Sequence, residues 1–325
     1  MLNPFDSDPV LVEVVRDGLV ESVHHGRVAV TGADGALLAA LGDPEALVYP
    51  RSANKPLQAV GMVRAGLDLD GQLLALACAS HSGEAFHREG ARRILALAGL
   101  DETALQDPPD WPLDELAKEE VLRAGGQPTR LAMNCSGKHA GMLLTAVRTG
   151  APTQTYLAPR HPVQCAIEEA LADLAGETPH GPAVDGCGAP LWAVSLTALA
   201  RAFGRLAAST DPGERRTADA IRAHPAYVSG TRRDELALHQ GLPGIVAKAG
   251  AESVYAVGLP DGRGVALKID DGSARGRPVA MAAVLQRLGI DADVLRAQSS
   301  VPVLGGGRPV GEVRPHAPTL ARIGA

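Results

Sequence analysis

The sequence predicts a mixed α/β fold of the α+β type, in which both ends of the chain build an antiparallel sheet and a helical lobe lies between them. Two observations lead to this prediction. Short strand patterns cluster near both ends, whereas helix patterns fill the middle. The chain has 325 residues, 46% of them hydrophobic, which suffices for two lobes around a continuous core. We expect a single domain over residues 1–325, with a sheet lobe from about 8–50 and 245–312 and a helical lobe from about 52–240.

Valine-rich patterns begin the chain. Residues 10–15 (VLVEVV) and 27–31 (RVAVT) predict two strands, and the ALLAAL run after the turn at residues 32–35 predicts a partner strand. Helix patterns fill the middle of the chain, at residues 84–99, 113–124, 140–148, 162–174, 191–207 and 215–224. A break at residues 211–213 (DPG) separates the last two of these patterns.

The pattern returns to strands near the carboxyl terminus. Residues 253–258 (SVYAVG) and 264–270 (GVALKID) are short and alternating, and the LPDG turn between them predicts a hairpin. A helix is expected at residues 278–289, followed by a glycine loop at residues 305–307 and a weakly structured tail. This order supports a sheet built from both termini.

Composition and charge exclude several classes of partner. The net charge is −6, with 31 Lys and Arg residues against 37 Asp and Glu residues, and no basic block stands out, so nucleic acid is not the expected partner. Aromatic residues make up only 3% of the chain, which is too few for base-stacking surfaces. The start, MLNPFDSDPV, lacks the features of a signal peptide, and no apolar run reaches about 18 residues. We therefore expect a cytoplasmic protein without membrane contact.

The stretch RSANKPLQ contains a serine and a lysine three residues apart. Pro56 is tolerated only in a first helical turn, so Ser52 is expected at or just before a helix start. Residues three apart share a helix face, which would let Ser52 and Lys55 approach each other. A serine nucleophile with a lysine base requires this arrangement. The alternative interpretation is a capping serine and a solvated lysine.

A second polar cluster follows the apolar run at residues 73–77. In CASHSGE, small residues and hydroxyls are dense enough to suggest close approach to a ligand, and Ser80 is the candidate. The alternative is a helix cap before the pattern at residues 84–99.

Cysteines and nitrogen donors form the third cluster. A helical turn would gather Cys135, Lys138 and His139 on one face, and Cys187 lies in a glycine-rich turn with Asp185. Two thiolates and a nitrogen predict a zinc site with an open fourth position. Residue chemistry favours His139 as the nitrogen ligand, because a lysine must first lose its proton. The alternative is two buried thiols that act as small hydrophobic residues.

One further lysine has unusual neighbours. Lys248 lies among apolar and small residues in GIVAKAG, and surface lysines rarely have such a setting. Lys268 in VALKID is the competing candidate, but it fits an outward position on an alternating strand. We therefore choose Lys248 as the functional lysine.

Five stretches of this sequence together resemble the asparaginase II family, the Rhizobium etli type of L-asparaginase. They are RSANKPLQ, CASHSGE, NCSGKHAGML, DGCGAP and VAKAGAESVYAVG, and they occur in this order. The likeness runs from about residue 8 to about residue 312. It implies a single catalytic domain with a fold like that of serine β-lactamases and penicillin-binding proteins, a homodimer, and hydrolysis of L-asparagine to L-aspartate and ammonia.

The resemblance also implies roles for individual residues. The catalytic set is Ser52 with Lys55 and Ser80 with Lys248, and the zinc ligands are Cys135, Lys138 and Cys187. Arg51, Asp185 and His139 are expected to bind substrate or support the ligands. The family uses the lysine as nitrogen ligand, and a lysine beside Zn²⁺ is readily deprotonated. The segment at residues 230–234 (GTRRD) departs from the family pattern, which leaves substrate selectivity open.

The expected mechanism is an acyl-enzyme route with Ser52 as nucleophile and Lys55 as its base, although the order in which the two serines act stays open. A serine hydrolase acting on glutamine or on a β-lactam-like amide is the nearest alternative, and the absent KTG-type motif weighs against the β-lactam. A non-catalytic protein that binds zinc or an amino acid is the alternative from another class.

Overall fold

The computed structural model describes residues 8–324. The expectation that no signal peptide is present rests on residues 1–10, most of which lie outside this range. None of the helices in the described part of the chain has the length and apolar character needed to span a bilayer.

Strands come from both ends of the chain, and helices occupy most of its middle. In chain order the strands are β1 (Val10–Arg16), β2 (Leu19–Thr31), β3 (Leu37–Leu41), β4 (Leu47–Val48), β5 (His180–Val184), β6 (Pro190–Ser195), β7 (Val246–Ala249), β8 (Val254–Gly258), β9 (Gly264–Ile269), β10 (Val301–Gly305) and β11 (Arg308–Pro315). The helices are α1 (Lys55–Arg64), α2 (Gly71–Ala77), α3 (Ala85–Leu97), α4 (Glu115–Arg123), α5 (Ser136–Arg148), α6 (Pro162–Ala175), α7 (Leu196–Ala208), α8 (Pro212–Ala223), α9 (Pro225–Val228), α10 (Asp234–Gly241), α11 (Arg277–Arg287), α12 (Asp293–Gln298) and α13 (Ala317–Leu320). Short 3-10 turns cover Arg51–Asn54, Glu102–Ala104, Thr153–Thr155 and Ala251–Ser253.

Eight strands form one antiparallel sheet in the order β10-β11-β1-β2-β9-β8-β7, with β3 also on β2. The long strand β2 joins its two halves, because its first part pairs with β1 and its second part pairs with β9 and β3. Gly26 lies at the change of partner, where a Cβ atom would be 2.3 Å from the carbonyl oxygen of Lys268. The predicted fold class, an antiparallel sheet from both chain ends with a helical part between them, is confirmed.

The central strands are buried on both faces, and their alternation divides the core. Val254 and Ala256 of β8 face the cluster that contains α1, α2 and α5 to α7. Tyr255 and Val257 point to the opposite face, where α11 covers the sheet. Successive side chains of a strand point to opposite faces, so one short strand serves both clusters.

Close packing of α1 brings the predicted nucleophile turn into the core. A Cβ atom at Gly61 would lie 2.6 Å from the Cα atom of Ile167, so only glycine lets α1 approach α6 this closely. All of α1 except Arg64 is buried. The turn that precedes α1 is therefore held at a defined place between the helices and the sheet.

Two predictions about secondary structure were wrong. The apolar run at residues 191–207 is strand β6 followed by helix α7, and Ser195 caps the helix by accepting from the backbone N–H of Ala198. An apolar run alone does not distinguish a buried strand from a buried helix. The predicted break near residue 211 does separate α7 from α8, and Asp211 caps α8, since its carboxylate accepts from the backbone N–H groups of Gly213 and Glu214. The tail forms the hairpin β10–β11, because β11 finds a partner in β1.

A second sheet of three strands, in the order β4-β6-β5, was not predicted. It leads from β5 directly into the glycine-rich turn at Asp185 and Cys187. Strand β7, which carries Lys248, also went unrecognised because it has only four residues. Both elements position candidate site residues. That the whole chain works as one catalytic domain of two lobes stays a prediction.

Candidate active site

Ser52 lies in a 3-10 turn that leads into α1, one turn before Lys55. The backbone N–H of Lys55 donates to the carbonyl oxygen of Ser52, and Pro56 occupies the first turn of the helix as expected. Gly250, at the end of β7, packs against this turn, and a Cβ atom there would be 2.4 Å from the carbonyl oxygen of Pro50. The chain therefore needs glycine at this contact between sheet and turn.

Arg51 begins this turn with an unusual backbone conformation. Its φ angle is +51°, in the left-handed region that residues with a Cβ atom rarely adopt. Its Nε donates to Asp185 Oδ1 over 2.8 Å, and the side chains of both residues are mostly buried. Such strain persists where the surrounding structure over-determines it, which is common at functional sites. The ion pair ties the serine turn to the turn that carries Cys187.

Two lysine–thiol contacts form the centre of the site. Lys55 Nζ donates to Cys135 Sγ over 3.0 Å, and Lys138 Nζ donates to Cys187 Sγ over 3.1 Å. All four side chains are buried. Helix α5 brings Cys135 and Lys138 together within one turn, whereas Cys187 reaches them from the turn between β5 and β6.

The pKa values of the two thiols shift in opposite directions. The hydrogen bond between them lowers the pKa of Cys187, and Lys138 lowers it further. The same hydrogen bond and burial raise the pKa of Cys135. Burial acts to lower the pKa of Lys138, but Cys187, Cys135 and Asp185 outweigh it and raise that pKa. Cys187 is therefore the thiol that more readily loses its proton, and the buried Lys138 amine lies beside it.

The donor set fits a zinc ion in its chemistry, since two sulfur atoms and one amine nitrogen converge in a buried place. Within residues 8–324, no group of three or more His, Cys, Asp and Glu side chains is arranged to bind a metal.

His139, the nitrogen ligand that residue chemistry favoured, also borders Cys187 and lowers the pKa of its thiol. Its Nδ1 lies 2.7 Å from Tyr156 Oη and 4.0 Å from Asp107 Oδ1. Its buried Nε2 makes no hydrogen bond within the described part of the chain. Both nitrogen donors are thus close to Cys187, and the choice between them stays a prediction.

Ser80 is buried and joins this centre through Asn134. The Asn134 Nδ2 group donates to Ser80 Oγ over 3.0 Å, and the Cys135 thiol donates to Asn134 Oδ1 over 3.4 Å. The structure therefore links Ser80 to Cys135 and, through that thiol, to Lys55. Asn134 was not singled out from the sequence, although it begins the NCSGKHAGML stretch.

Lys248 is fully buried on β7, and its partner is a residue that sequence reasoning missed. Its Nζ donates to Glu235 Oε1 over 2.5 Å and to the carbonyl oxygen of Ala249 over 2.9 Å. Among the described residues it makes no hydrogen bond with Ser80. Burial lowers the pKa of Lys248 to about 8, and Glu235 opposes part of that shift.

Arg233 bridges Lys248 and Ser80. Its Nη2 lies 2.9 Å from Glu235 Oε2, and its Nη1 donates to the carbonyl oxygen of Ser80 over 3.1 Å. The signal for Arg233 in the sequence is the GTRRD segment, which departs from the family pattern. Lys248 therefore reaches Ser80 through two intermediate side chains.

Lys268 has a different environment. It lies on β9, is partly buried, and donates to the carbonyl oxygen of Ile269. Burial lowers its pKa, and nearby carboxylates oppose this shift. It lines a pocket of about 370 Å³ together with Arg51, Tyr49 and Glu252. No hydrogen bond within residues 8–324 joins it to the thiols or to either candidate serine.

Comparison with known proteins gives one family match. The model of the L-asparaginase II family matches residues 12–315. No curated protein matches the sequence.

Several solved structures have a similar fold. One is Mglu in its native form, 15% identical, with a TM-score of 0.45, covering 80% of this chain and 64% of that chain. Another is a β-lactamase from Mycobacterium bovis, 16% identical, with a TM-score of 0.44, covering 82% and 95%. A third is a putative β-lactamase from Bacteroides dorei, 18% identical, with a TM-score of 0.42, covering 80% and 92%. The chain spans less than two thirds of the length of Mglu. Similarity at this level says nothing about chemistry.

Proposed function

The chain belongs to the L-asparaginase II family and is an amidohydrolase, and from this premise we propose that it hydrolyses L-asparagine to L-aspartate and ammonia through a serine–lysine acyl-enzyme. The observation that carries the proposal is the hydrogen-bonded network that joins Ser80, Asn134, Cys135 and Lys55, one turn from Ser52. A hydroxyl beside a buried amine is the pairing that nucleophilic catalysis needs.

In the proposed first step, Ser52 Oγ attacks the carbon of the substrate's side-chain amide, and its proton passes to Lys55 Nζ. The carbon–nitrogen bond then breaks, and the departing nitrogen takes up a proton and leaves as ammonia. A water molecule then attacks the resulting ester, giving its hydroxyl group to the acyl carbon and a proton to Lys248, while Lys55 returns its proton to Ser52 Oγ and aspartate is released. Lys55 suits this role because it follows Ser52 by one helical turn and is held by Cys135.

Ser80 and Lys248 are proposed to deliver the proton to the departing nitrogen. Ser80 Oγ accepts a hydrogen bond from Asn134, so its own hydroxyl hydrogen is available for donation. Lys248 replenishes that proton from a buried position whose pKa, lowered to about 8, lies close to neutral pH.

Cys135, Lys138 and Cys187 are proposed to hold one zinc ion per chain. Bound zinc would supply a Lewis acid that binds the α-amino and α-carboxylate end of the substrate. The ion pair between Arg51 and Asp185 connects the serine turn to the turn that carries Cys187. We propose that this pair orients the Cys187 ligand and the same end of the substrate. The homodimer and the cytoplasmic location stay predictions from the sequence.

Purified protein is expected to release ammonia from L-asparagine with a kcat/KM at least roughly tenfold higher than from L-glutamine, because an extra methylene displaces the amide from a positioned nucleophile. A coupled ammonia assay with both amides, and a chromogenic β-lactam as third substrate, tests this. Comparable kcat/KM on asparagine and glutamine, or turnover of the β-lactam alone, would overturn the assignment.

Removal of zinc is expected to raise KM for L-asparagine much more than it lowers kcat, since uniform binding appears in KM. The measurement is steady-state kinetics after dialysis against a strong chelator, with zinc content determined in parallel. Cys135→Ala should behave like the chelated enzyme. Cys165→Ala is the matched control, because Cys165 lies on α6 and is not one of the proposed zinc ligands. A metal-free enzyme with unchanged KM would remove zinc from substrate binding.

A further inference from the structure

A buried cluster of charges lies behind the catalytic centre, between α10 and strand β7. Glu235 and Lys248 are both fully buried, and the Glu235 carboxylate contacts three groups at once. Its Oε1 accepts from Lys248 Nζ over 2.5 Å and from the backbone N–H of Ala249 over 2.9 Å, and its Oε2 faces Arg233 Nη2 at 2.9 Å. The Glu235 carboxylate thus holds the Lys248 side chain, the backbone of β7 at Ala249 and the guanidinium group of Arg233, which contacts Ser80.

We propose that Glu235 is a positioning residue for the reaction: it fixes the place and the charge of Lys248 and, through Arg233, the distance between that lysine and Ser80. The inference rests on the proposed function, because it assigns Lys248 a role in proton transfer. Glu235 itself does not contact the substrate. It acts on the amine that moves the proton.

The geometry explains how Glu235 orients the amine. A lysine amine in its protonated form has three N–H groups, and two of them are directed at Glu235 Oε1 and the Ala249 carbonyl oxygen. The third N–H has no hydrogen-bond partner among residues 8–324. Since the Ala249 N–H donates to the same carboxylate oxygen, the lysine's backbone and side chain are held as one unit.

The charges around Lys248 oppose one another. Burial and the positive charges of Arg233 and Lys55 lower the pKa of Lys248, whereas Glu235 raises it. Charged or titratable groups that face Lys248 or Glu235 from the neighbouring elements are Lys55, Cys78, Arg233, His239, Tyr255 and Arg277. Because the Glu235 carboxylate is hydrogen-bonded to Lys248 and raises its pKa, removing its charge should lower that pKa.

The two substitutions that remove one charge each are expected to shift the pH profile in opposite directions. Because Lys248 supplies a proton, its protonated form is the active one, and kcat/KM falls as pH rises through a pKa near 8 in the wild type. Glu235→Gln removes the group that raises this pKa and should move the midpoint about one pH unit lower. Arg233→Gln removes a positive charge that lowers it and should move the midpoint roughly half a unit to one unit higher.

Two further variants separate positioning from general damage. Glu235→Asp keeps the charge but shortens the reach, so its midpoint should stay near the wild-type pH while kcat falls roughly tenfold through loss of orientation. Asp234→Asn is the matched control, because Asp234 lies next to Glu235 but pairs with Arg277 Nη2 over 2.6 Å. Its pH midpoint and kcat should remain near those of the wild type.

The experiment is the pH dependence of kcat/KM for ammonia release from asparagine in these variants, with the Lys248 amine titrated by NMR in isotopically labelled protein. Opposite shifts in Glu235→Gln and Arg233→Gln, with no shift in the control, support the inference. Equal or absent shifts refute it, and if Glu235→Gln does not fold, Arg233→Gln against Glu235→Asp decides. A wild type without ammonia release, but with the Lys248 titration shifted as described, would instead refute the proposed function.

Discussion

Ser52→Ala is expected to lower kcat for asparagine hydrolysis by roughly four orders of magnitude or more, because loss of a nucleophile removes the covalent route. The substitution should leave the fold intact. Ser52 is only partly buried, and its hydroxyl makes no hydrogen bond to another group within residues 8–324. Its backbone carbonyl, which accepts from the N–H of Lys55, is unaffected by the change.

The measurement combines ammonia release with thermal unfolding and mass spectrometry of acid-quenched enzyme. The wild type should carry an acyl adduct on the peptide that contains Ser52, and Ser52→Ala should carry none while unfolding at the same temperature. Ser80→Ala is the matched comparison, since it should slow turnover and still form the adduct. If Ser52→Ala keeps more than about a tenth of wild-type activity, Ser52 is not the nucleophile. An adduct found on Ser80 would reverse the order of the two serines.

Replacing Lys248 by alanine is expected to lower kcat by at least about a hundredfold, because general acid–base groups contribute roughly that much. The kcat of Lys268→Ala should stay within about threefold of the wild-type value, since Lys268 Nζ donates to the carbonyl oxygen of Ile269 on its own strand and not to a catalytic group. The comparison uses kcat and KM for asparagine at pH 8. A large loss in Lys268→Ala with a mild effect in Lys248→Ala would identify Lys268 as the functional lysine.

Stability must be separated from chemistry in this test, because Lys248 is one partner of a buried ion pair. Removal of Lys248 leaves the buried Glu235 carboxylate with Arg233 and the Ala249 N–H but without its lysine partner, and breaking a buried ion pair costs about 3–5 kcal/mol in comparable cases. Lys248→Met keeps most of the side-chain volume, and the double variant Lys248→Met with Glu235→Gln also removes the charge of the carboxylate. The double variant should regain most of the lost unfolding temperature without regaining activity. Activity restored together with stability would make the role of Lys248 purely structural.

Local features of the site could be predicted from the sequence, because they depend on residues close together in the chain. Pro56 requires a helix start, and this places Ser52 and Lys55 one turn apart. Helix α5 gathers Cys135 and Lys138 in the same way. The alternating patterns of β8 and β9 and the LPDG turn between them predict a hairpin, and in the structure the two strands pair antiparallel along their length.

The partners of these local units were decided by the tertiary structure. The meeting of Cys135 with Cys187 depends on how the turn between β5 and β6 packs against α5, and no local pattern encodes that distance. Asn134 became visible as the link to Ser80 only when two separate stretches came within hydrogen-bond distance. The spacing of hydrophobic residues along a helix or strand indicates which face is buried, but not which other element packs against that face.

The clearest case is Lys248. Its apolar neighbours in the chain indicated burial, and it is buried, because the other three residues of β7 are apolar or small and the whole strand is covered on both faces. The buried charge then needs a counter-ion, and the sequence contains 37 carboxylates from which periodicity cannot choose. Packing of α10 against β7 selects Glu235, 13 residues away along the chain. The sequence by itself thus determined that this lysine lies inside the protein, and the tertiary structure decided its partner, because an ion pair depends on distance in space.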